Sequence, residues 1–265
     1  MQPVNSLNSE RTLSKTVLLT GASSGLGIGM ARHFAQRGYN LALCARRLEP
    51  MQELKAELES KYSIRVSAKA LDVKDFEAVP RIFNDFYDEF GSLEKIVVNA
   101  GIGKGGEVGK GFFAPHKETI DVNFTGALAQ CEAALEIFEK QGNVGHLVGI
   151  SSMSAARGMP GAINVYAATK VAFAALLEGI RAQCKFRQPN VRVTTLYPGY
   201  IDTPINQDVK VRPFVVDCEE GTRQMVNLIE KGVEESVVPR WPWVAFWRVM
   251  KVLPLKQVAK LNGYK

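Results

Sequence analysis

The sequence predicts an α/β fold, a doubly wound parallel sheet with helices on both faces, in a single domain. Three observations carry that prediction. Short apolar or β-branched runs alternate strictly with amphipathic stretches of helical period, the pattern of a parallel sheet covered on both faces. A glycine-rich turn joins the first run to the first amphipathic stretch. No internal repeat or interdomain linker interrupts the 265 residues, a length suited to one large core.

Residues 1–15 are polar, with Pro3 and no apolar core, and read as a loose tail rather than a signal peptide. Strands are predicted at 16–20, 40–45, 65–70, 95–99, 145–150 and 191–197. Helices are predicted between them at 25–37, 50–61, 75–90, 115–140 and 163–187, and a further one at 217–231. Pro50 suits the first turn of its helix, and Gly38 and Gly91 suit helix exits. The main body spans 16–240; within it, 202–217 is a proline-interrupted connection whose Ile205, Val209, Val211, Phe214 and Val215 suggest an apolar lining. Residues 241–265 form an aromatic C-terminal segment. Ligands of such a sheet bind beyond the carboxyl ends of its strands.

Composition narrows the classes. With 33 basic and 27 acidic residues interspersed, the net charge of +6 is that of a solvated surface serving an anionic cofactor, not of a nucleic-acid binder. Cys44, Cys131, Cys184 and Cys218 lie far apart without metal-ligand spacing, so free thiols in a reducing, cytoplasmic compartment and no metal are expected. His33, His116 and His146 share no spacing and read as structural or surface residues.

Thr20-Gly21-Ala22-Ser23-Ser24-Gly25-Leu26-Gly27 runs from the first strand into the first helix. Gly21 permits the tight turn, Gly25 lets backbone approach a pyrophosphate, and Gly27 lets the helix pack closely, with the helix N-terminus facing the phosphates. The second strand ends in Arg46 and Arg47, where an acidic residue would bind the 2′-hydroxyl of NAD. Guanidinium binds a 2′-phosphate bidentately, so NADP(H) is the expected cofactor. Asp72, followed by Val73, can accept from the adenine amino group or cap the helix near Asp75. Asn99-Ala100-Gly101 closes the fourth strand, its small residues passing the cofactor and Asn99 tying strand ends together. Tyr166 and Lys170, four apart on a helix, share a face, so an ammonium can stabilise a phenolate.

With these pieces in order, residues 16–203 resemble the short-chain dehydrogenase/reductase family. The resemblance implies a Rossmann sheet of seven strands in the order 3-2-1-4-5-6-7. It implies that Tyr166 is the general acid in carbonyl reduction, and that Lys170 lowers its pKa and binds the nicotinamide ribose. Bringing a phenol from about 10 to neutrality takes on the order of 4 kcal/mol. Asn123 matches the residue that kinks a helix and holds a water in the relay to Lys170. Where family members place the substrate-orienting serine, thirteen residues before the tyrosine, this chain has Met153; a one-residue insertion makes Ser152 the counterpart, with Ser154 the alternative. Pro198, Gly199, Ile201 and Thr203 match contacts to the nicotinamide amide. Homodimers or homotetramers built on the helices at 115–140 and 163–187 follow by the same resemblance.

The function expected is an NADP(H)-dependent oxidoreductase interconverting an apolar ketone or aldehyde and an alcohol. Two alternatives stand beside it: a membrane-surface reductase of a lipidic carbonyl, and a non-catalytic NADP-binding sensor. The first rests on Trp243, Phe246, Trp247, Met250 and Leu253, which fall on one side of a helix. That stripe suits a lid, a subunit interface or a peripheral membrane contact through 241–255.

Overall fold

The computed structural model describes residues 14–207, 209 and 212–261. Val211 and all but the last two residues of the expected tail lie outside them. Those last two are held rather than loose: Ser14 N and Oγ bond Ser92, each at 2.7 Å, and Lys15 donates to the Arg37 carbonyl.

Seven parallel strands form one sheet in the order β3-β2-β1-β4-β5-β6-β7. They are β1 (Thr16–Thr20), β2 (Asn40–Ala45), β3 (Val66–Ala70), β4 (Lys95–Val98), β5 (Gly145–Ile150), β6 (Val191–Pro198) and β7 (Glu235–Val238). The helices are α1 (Gly25–Gln36), α2 (Glu49–Lys61), α3 (Ala78–Phe90), α4 (Phe113–Ile120), α5 (Gly126–Lys140), α6 (Asn164–Arg187), α7 (Cys218–Glu230), α8 (Arg240–Val252) and α9 (Leu255–Leu261). Strand order reverses between β1 and β4, where Leu18 of β1 faces Ala42 of β2 on one side and Ile96 of β4 on the other. Alternate strand residues serve opposite layers. Leu18, Cys44, Ile96 and Leu147 pack with Phe83 and Phe86 of α3, Ile137 of α5 and Leu177 of α6. Val17, Leu43, Val97 and Val148 pack with Phe34 of α1, Met51 of α2 and Met225 of α7.

Local chemistry sets the element ends. Pro50 sits in the first turn of α2, and Gly91 ends α3 with φ of 78° while its N–H bonds the Tyr87 carbonyl. The third helix starts later than predicted because Asp75 accepts from Ala78 N at 3.1 Å and so stands outside it. The helix predicted over 115–140 is α4 and α5 joined by a π turn, Asp121–Thr125. Helix α6 with its preceding turn is long and apolar enough to cross a bilayer, but its buried side, including Phe173 and Leu177, packs on the sheet. On α8, Trp243, Phe246 and Trp247 pack against Met153, Tyr197 and Val237, and Met250 is also buried. The aromatic stripe therefore packs on the protein's own body.

All three histidines are buried, which corrects the surface reading. His146 on β5 lies between Lys95 of β4 and Arg192 of β6. Thr194 donates its hydroxyl proton to the Val233 carbonyl, so the His146 Nε2–H, 2.8 Å from Thr194 Oγ1, is the donor of that contact. Burial first, then the charges of Lys95 and Arg192, push its pKa down to about 3. An unfolded chain takes up this proton near pH 6.5. Between those values the unfolded state binds more protons, so stability is lost as pH falls, by on the order of 1 kcal/mol per pH unit. We expect the urea midpoint to drop between pH 6 and 4 on this account, and to drop less in His146→Gln, which keeps a donor to Thr194. Identical slopes in the two proteins would assign the acid sensitivity elsewhere.

Candidate active site

At the carboxyl ends of β1 and β4 the glycine turn and Asn99-Ala100-Gly101 interlock. Gly21 has φ of 64°, and a Cβ there would stand 2.9 Å from Ala100 Cα. Thr20 Oγ1 accepts from the amides of Asn99 and Ala100 at 3.0 and 3.1 Å, and Asn99 Nδ2 donates to the Thr20 carbonyl at 2.9 Å. Asn99 thus ties the two strand ends as its position predicts. Gly27 is constrained by room rather than by dihedrals: a Cβ would lie 2.2 Å from the Gly21 carbonyl oxygen. Ser24 precedes α1 in an extended conformation and makes no side-chain cap, so the first amides of α1 have no side-chain acceptor and point where an anion would sit. Leu26 anchors the start of that helix in the core.

Arg47 reaches back over the turn and donates to Ser23 O and Oγ at 3.2 and 3.4 Å. Arg46 beside it is exposed. Asp72 accepts from the Lys74 amide at 3.0 Å and closes a local turn; it does not cap α3, since Asp75 does. Val73 is buried, with its carbonyl against Gly126 at the start of α5.

Tyr166 and Lys170 occupy the first turns of α6, facing the end of β5. Ser152 hydrogen-bonds the Tyr166 phenol, while its Oγ accepts from the Ser154 amide at 3.1 Å. Ser154 Oγ is buried without a partner, so of the two serines it is Ser152 that the fold brings to the tyrosine. Lys170 is buried, donates to the Ile150 carbonyl at 2.9 Å and lies 5.8 Å from the Tyr166 ring centre. A Cβ on Gly101 would come within 3.4 Å of Lys170 Nζ and of Asn123 Oδ1, so glycine there leaves the lysine accessible from the cofactor side.

The electrostatics differ from the expectation. Burial pushes the Tyr166 pKa up, the Ser152 hydrogen bond opposes it, and the nearby Tyr200 phenol adds to it. Burial alone brings Lys170 down to about 8. In the chain by itself, then, desolvation dominates the phenol, and the Lys170 ammonium donates to the Ile150 carbonyl. Asn123 stands in the π turn that interrupts the helix, the kink expected of it. Within the π turn its Oδ1 accepts from Ile102 N at 2.8 Å, and its Nδ2 donates to Ile102 O at 2.8 Å and to Thr169 Oγ1 at 3.2 Å. Both amide protons are used, leaving at most one lone pair for water. The side chain instead staples the strand-end loop to the middle of Tyr166-x-x-x-Lys170.

Pro198 ends β6, and Gly199 N donates to Val238 O at 2.8 Å. Ile201 and Thr203 are buried, and Gly25 lies against Thr203, 3.2 Å from a Cβ to Thr203 Cβ. Sequence reading placed Trp243 only on the stripe for a lid, an interface or a membrane, and did not single out Tyr200 or Arg157. Trp243 lies flat on Gly199, within 2.3 Å of where a Cβ would be, and its Nε1 is buried without a partner. Tyr200 neighbours both Trp243, at 6.1 Å between ring centres, and the Tyr166 phenol. Arg157 donates to the carbonyls of Met250 and Leu253, fastening the end of α8 to the loop after β5. Their signals were present, a tyrosine after Pro-Gly and a tryptophan cluster, but spacing does not say what covers what. Among the described residues no group of acids, cysteines and histidines could hold a metal ion.

The family described as short chain dehydrogenase matches residues 15–212. The chain belongs to the short-chain dehydrogenase/reductase family. It is accordingly an oxidoreductase on a nucleotide-binding Rossmann fold. An uncharacterized oxidoreductase of Mycobacterium tuberculosis is 45% identical over 239 residues, 90% of this chain and 93% of that one. Among solved short-chain dehydrogenases/reductases, an alcohol dehydrogenase from the archaeon Thermococcus sibiricus complexed with 5-hydroxy-NADP has a TM-score of 0.75 at 28% identity, covering 84% of this chain and 95% of that one. An NADPH-dependent 3-quinuclidinone reductase from Rhodotorula rubra has a TM-score of 0.73 at 25% identity, over 82% and 85% of the two chains.

Proposed function

We propose that the protein is an NADP(H)-dependent carbonyl reductase that converts an apolar ketone or aldehyde to the alcohol, with Tyr166 as the proton donor. One observation carries the reading: Tyr166, with Ser152 beside it and Lys170 buried and bonded to the Ile150 carbonyl at the end of β5, stands at the same strand ends as the glycine cradle. The residues fit NADP(H). The uncapped start of α1 would take the pyrophosphate. Arg46 and Arg47 would take the 2′-phosphate, Asp72 and Val73 the adenine side, and Gly199 to Thr203 the carboxamide. Bound NADPH supplies the hydride.

The protein's own part is to hold the carbonyl and deliver a proton. Ser152 donates to the carbonyl oxygen and fixes it beside the phenol. Tyr166, its pKa raised by burial, stays protonated at neutral pH and gives its proton to that oxygen as alkoxide develops. Lys170, charged below about pH 8, stabilises the phenolate left behind.

We further propose a cytoplasmic homodimer or homotetramer. The exposed Phe113 and Ile120 of α4 and Val171 and Phe186 of α6 support it, being apolar side chains that such an interface would cover.

The test is NADPH oxidation against carbonyl compounds graded from small and polar to long-chain, with NADH in parallel. Carbonyl-dependent oxidation of NADPH in preference to NADH is expected. Arg46→Ala/Arg47→Ala should weaken NADPH by about 10- to 100-fold, the worth of a charge-assisted pair, and leave NADH unchanged. NADPH binding without turnover of any compound would favour the sensor, and equal use of both nucleotides would remove the role of the arginines.

A further inference from the structure

The net charge of +6 is not spread over the surface: the final 26 residues hold six Lys or Arg and no Asp or Glu, so the remainder is balanced. Five of the six, Arg240, Arg248, Lys251, Lys256 and Lys260, are exposed on α8 and α9. Among the described residues none of them forms an ion pair. Between them stand Trp241, Val249, Val252, Leu255 and Leu261, 50% to 81% exposed. On α8 the exposed Ala245, Arg248, Val249 and Val252 recur at helical spacing and so form a second face, opposite the aromatic stripe packed on the body. Lys251 also lies over the Trp247 ring at 5.1 Å. Single exposed valines are ordinary, whereas a cluster of large apolar side chains set among cations without an acidic partner marks a contact surface.

We propose that this outer face of α8 and α9 docks on an anionic lipid bilayer. Cationic heads would meet lipid headgroups while the valines, leucines and Trp241 enter the interface, the arrangement an amphipathic surface helix requires. The charge argues against a second copy of the chain, because a two-fold contact would set this face against itself, cation on cation. A nucleic acid would satisfy the cations but give Val249, Val252 and Leu255 no apolar layer. The same helix walls the active site: Trp243 lies on Gly199 and meets Phe214 edge-on at 5.6 Å. Ile205, Phe214 and Val215 of that connection are 44% to 54% exposed. Resting on the reductase reading, this assigns the substrate class as an apolar carbonyl compound dissolved in the bilayer and admitted past that rim.

The full chain is to be sedimented with vesicles of phosphatidylcholine alone and of phosphatidylcholine and phosphatidylglycerol in equal parts. Retention is expected on the anionic vesicles only, weakening with salt. Each basic residue near such a surface contributes about fivefold, so Lys251→Gln/Lys256→Gln/Lys260→Gln should lower the partition coefficient by roughly 100-fold. NADPH binding by calorimetry and the melting temperature should stay as in the wild type, showing an intact fold. Equal retention of the two proteins, or none of the wild type, would overturn the proposal. So would displacement of the protein from vesicles by an oligonucleotide, or a change of oligomeric state in the triple variant. Tyr166→Phe should sediment like the wild type, which separates docking from catalysis: absent turnover with intact retention overturns only the reductase reading, and absent retention with intact turnover only the docking.

Discussion

Tyr166→Phe should lower carbonyl reduction by roughly 10³-fold, within the range that a positioned general acid contributes, with little change in NADPH affinity. The ring survives the substitution, so its contact with the Gly103 backbone region survives too. What disappears is the proton and the partner of the Ser152 hydroxyl. Tyr200 is the other phenol close enough to act on Tyr166, so Tyr200→Phe belongs in the same measurement and should change the rate far less. Single-turnover rates at saturating NADPH isolate the chemical step. A Tyr166→Phe protein with the wild-type rate would mean that the proton comes from elsewhere. In the wild type the rate should hold below pH 8 and decline above it, since Lys170 is charged below its pKa of about 8 and neutral above it.

Gly27→Ala should cost a few kcal/mol of stability, the usual penalty of overpacking, and weaken NADPH by on the order of 100-fold, as an ångström's misplacement of positioning groups does. The added methyl would meet the Gly21 carbonyl oxygen at 2.2 Å and Ala22 Cα at 2.8 Å, both backbone-borne and unable to rotate away. Either α1 lifts off the turn or the turn moves, and either shift re-aims the amides that would hold the pyrophosphate. Calorimetric titration with NADPH, next to a urea unfolding curve, reads the two effects separately. Undiminished affinity would show that the turn has room to give, and that the close approach of helix and turn is not what shapes the phosphate site.

How far the fold was legible follows from what each element must satisfy. The five interior strands announce themselves because the middle of a parallel sheet is buried on both faces, which forces runs such as Val17-Leu18-Leu19 and Ile96-Val97-Val98, whereas β3 at one edge is mostly half-exposed. The seventh, Glu235-Ser236-Val237-Val238, is a half-exposed edge and carries no such mark; only family resemblance predicted it. The join of α4 and α5 was read as one helix because a π turn keeps helical dihedrals and inserts a single residue, a change too small for periodicity to register. The glycine turn, Asn99 and the Ser152–Tyr166 pairing were legible because they are local or tied to strand ends. The Tyr166 pKa was not, since spacing places a lysine near a phenol but does not say how much water either keeps. Composition likewise gave the charge of the chain but hid its location, which appears only when acids and bases are counted segment by segment.

Every tryptophan of the chain sits on α8, in three surroundings: Trp241 is 78% exposed, Trp243 is 2% exposed on Gly199, and Trp247 meets the Tyr197 ring at 4.6 Å. The indole emission of this protein is thus a signal from one helix and not an average over the molecule. Heating or denaturant would shift it to the red when α8 leaves the sheet, whether or not the sheet itself has melted. Circular dichroism would follow the rest, and any lag between the two signals would measure how much less firmly the wall of the site is held than the body behind it.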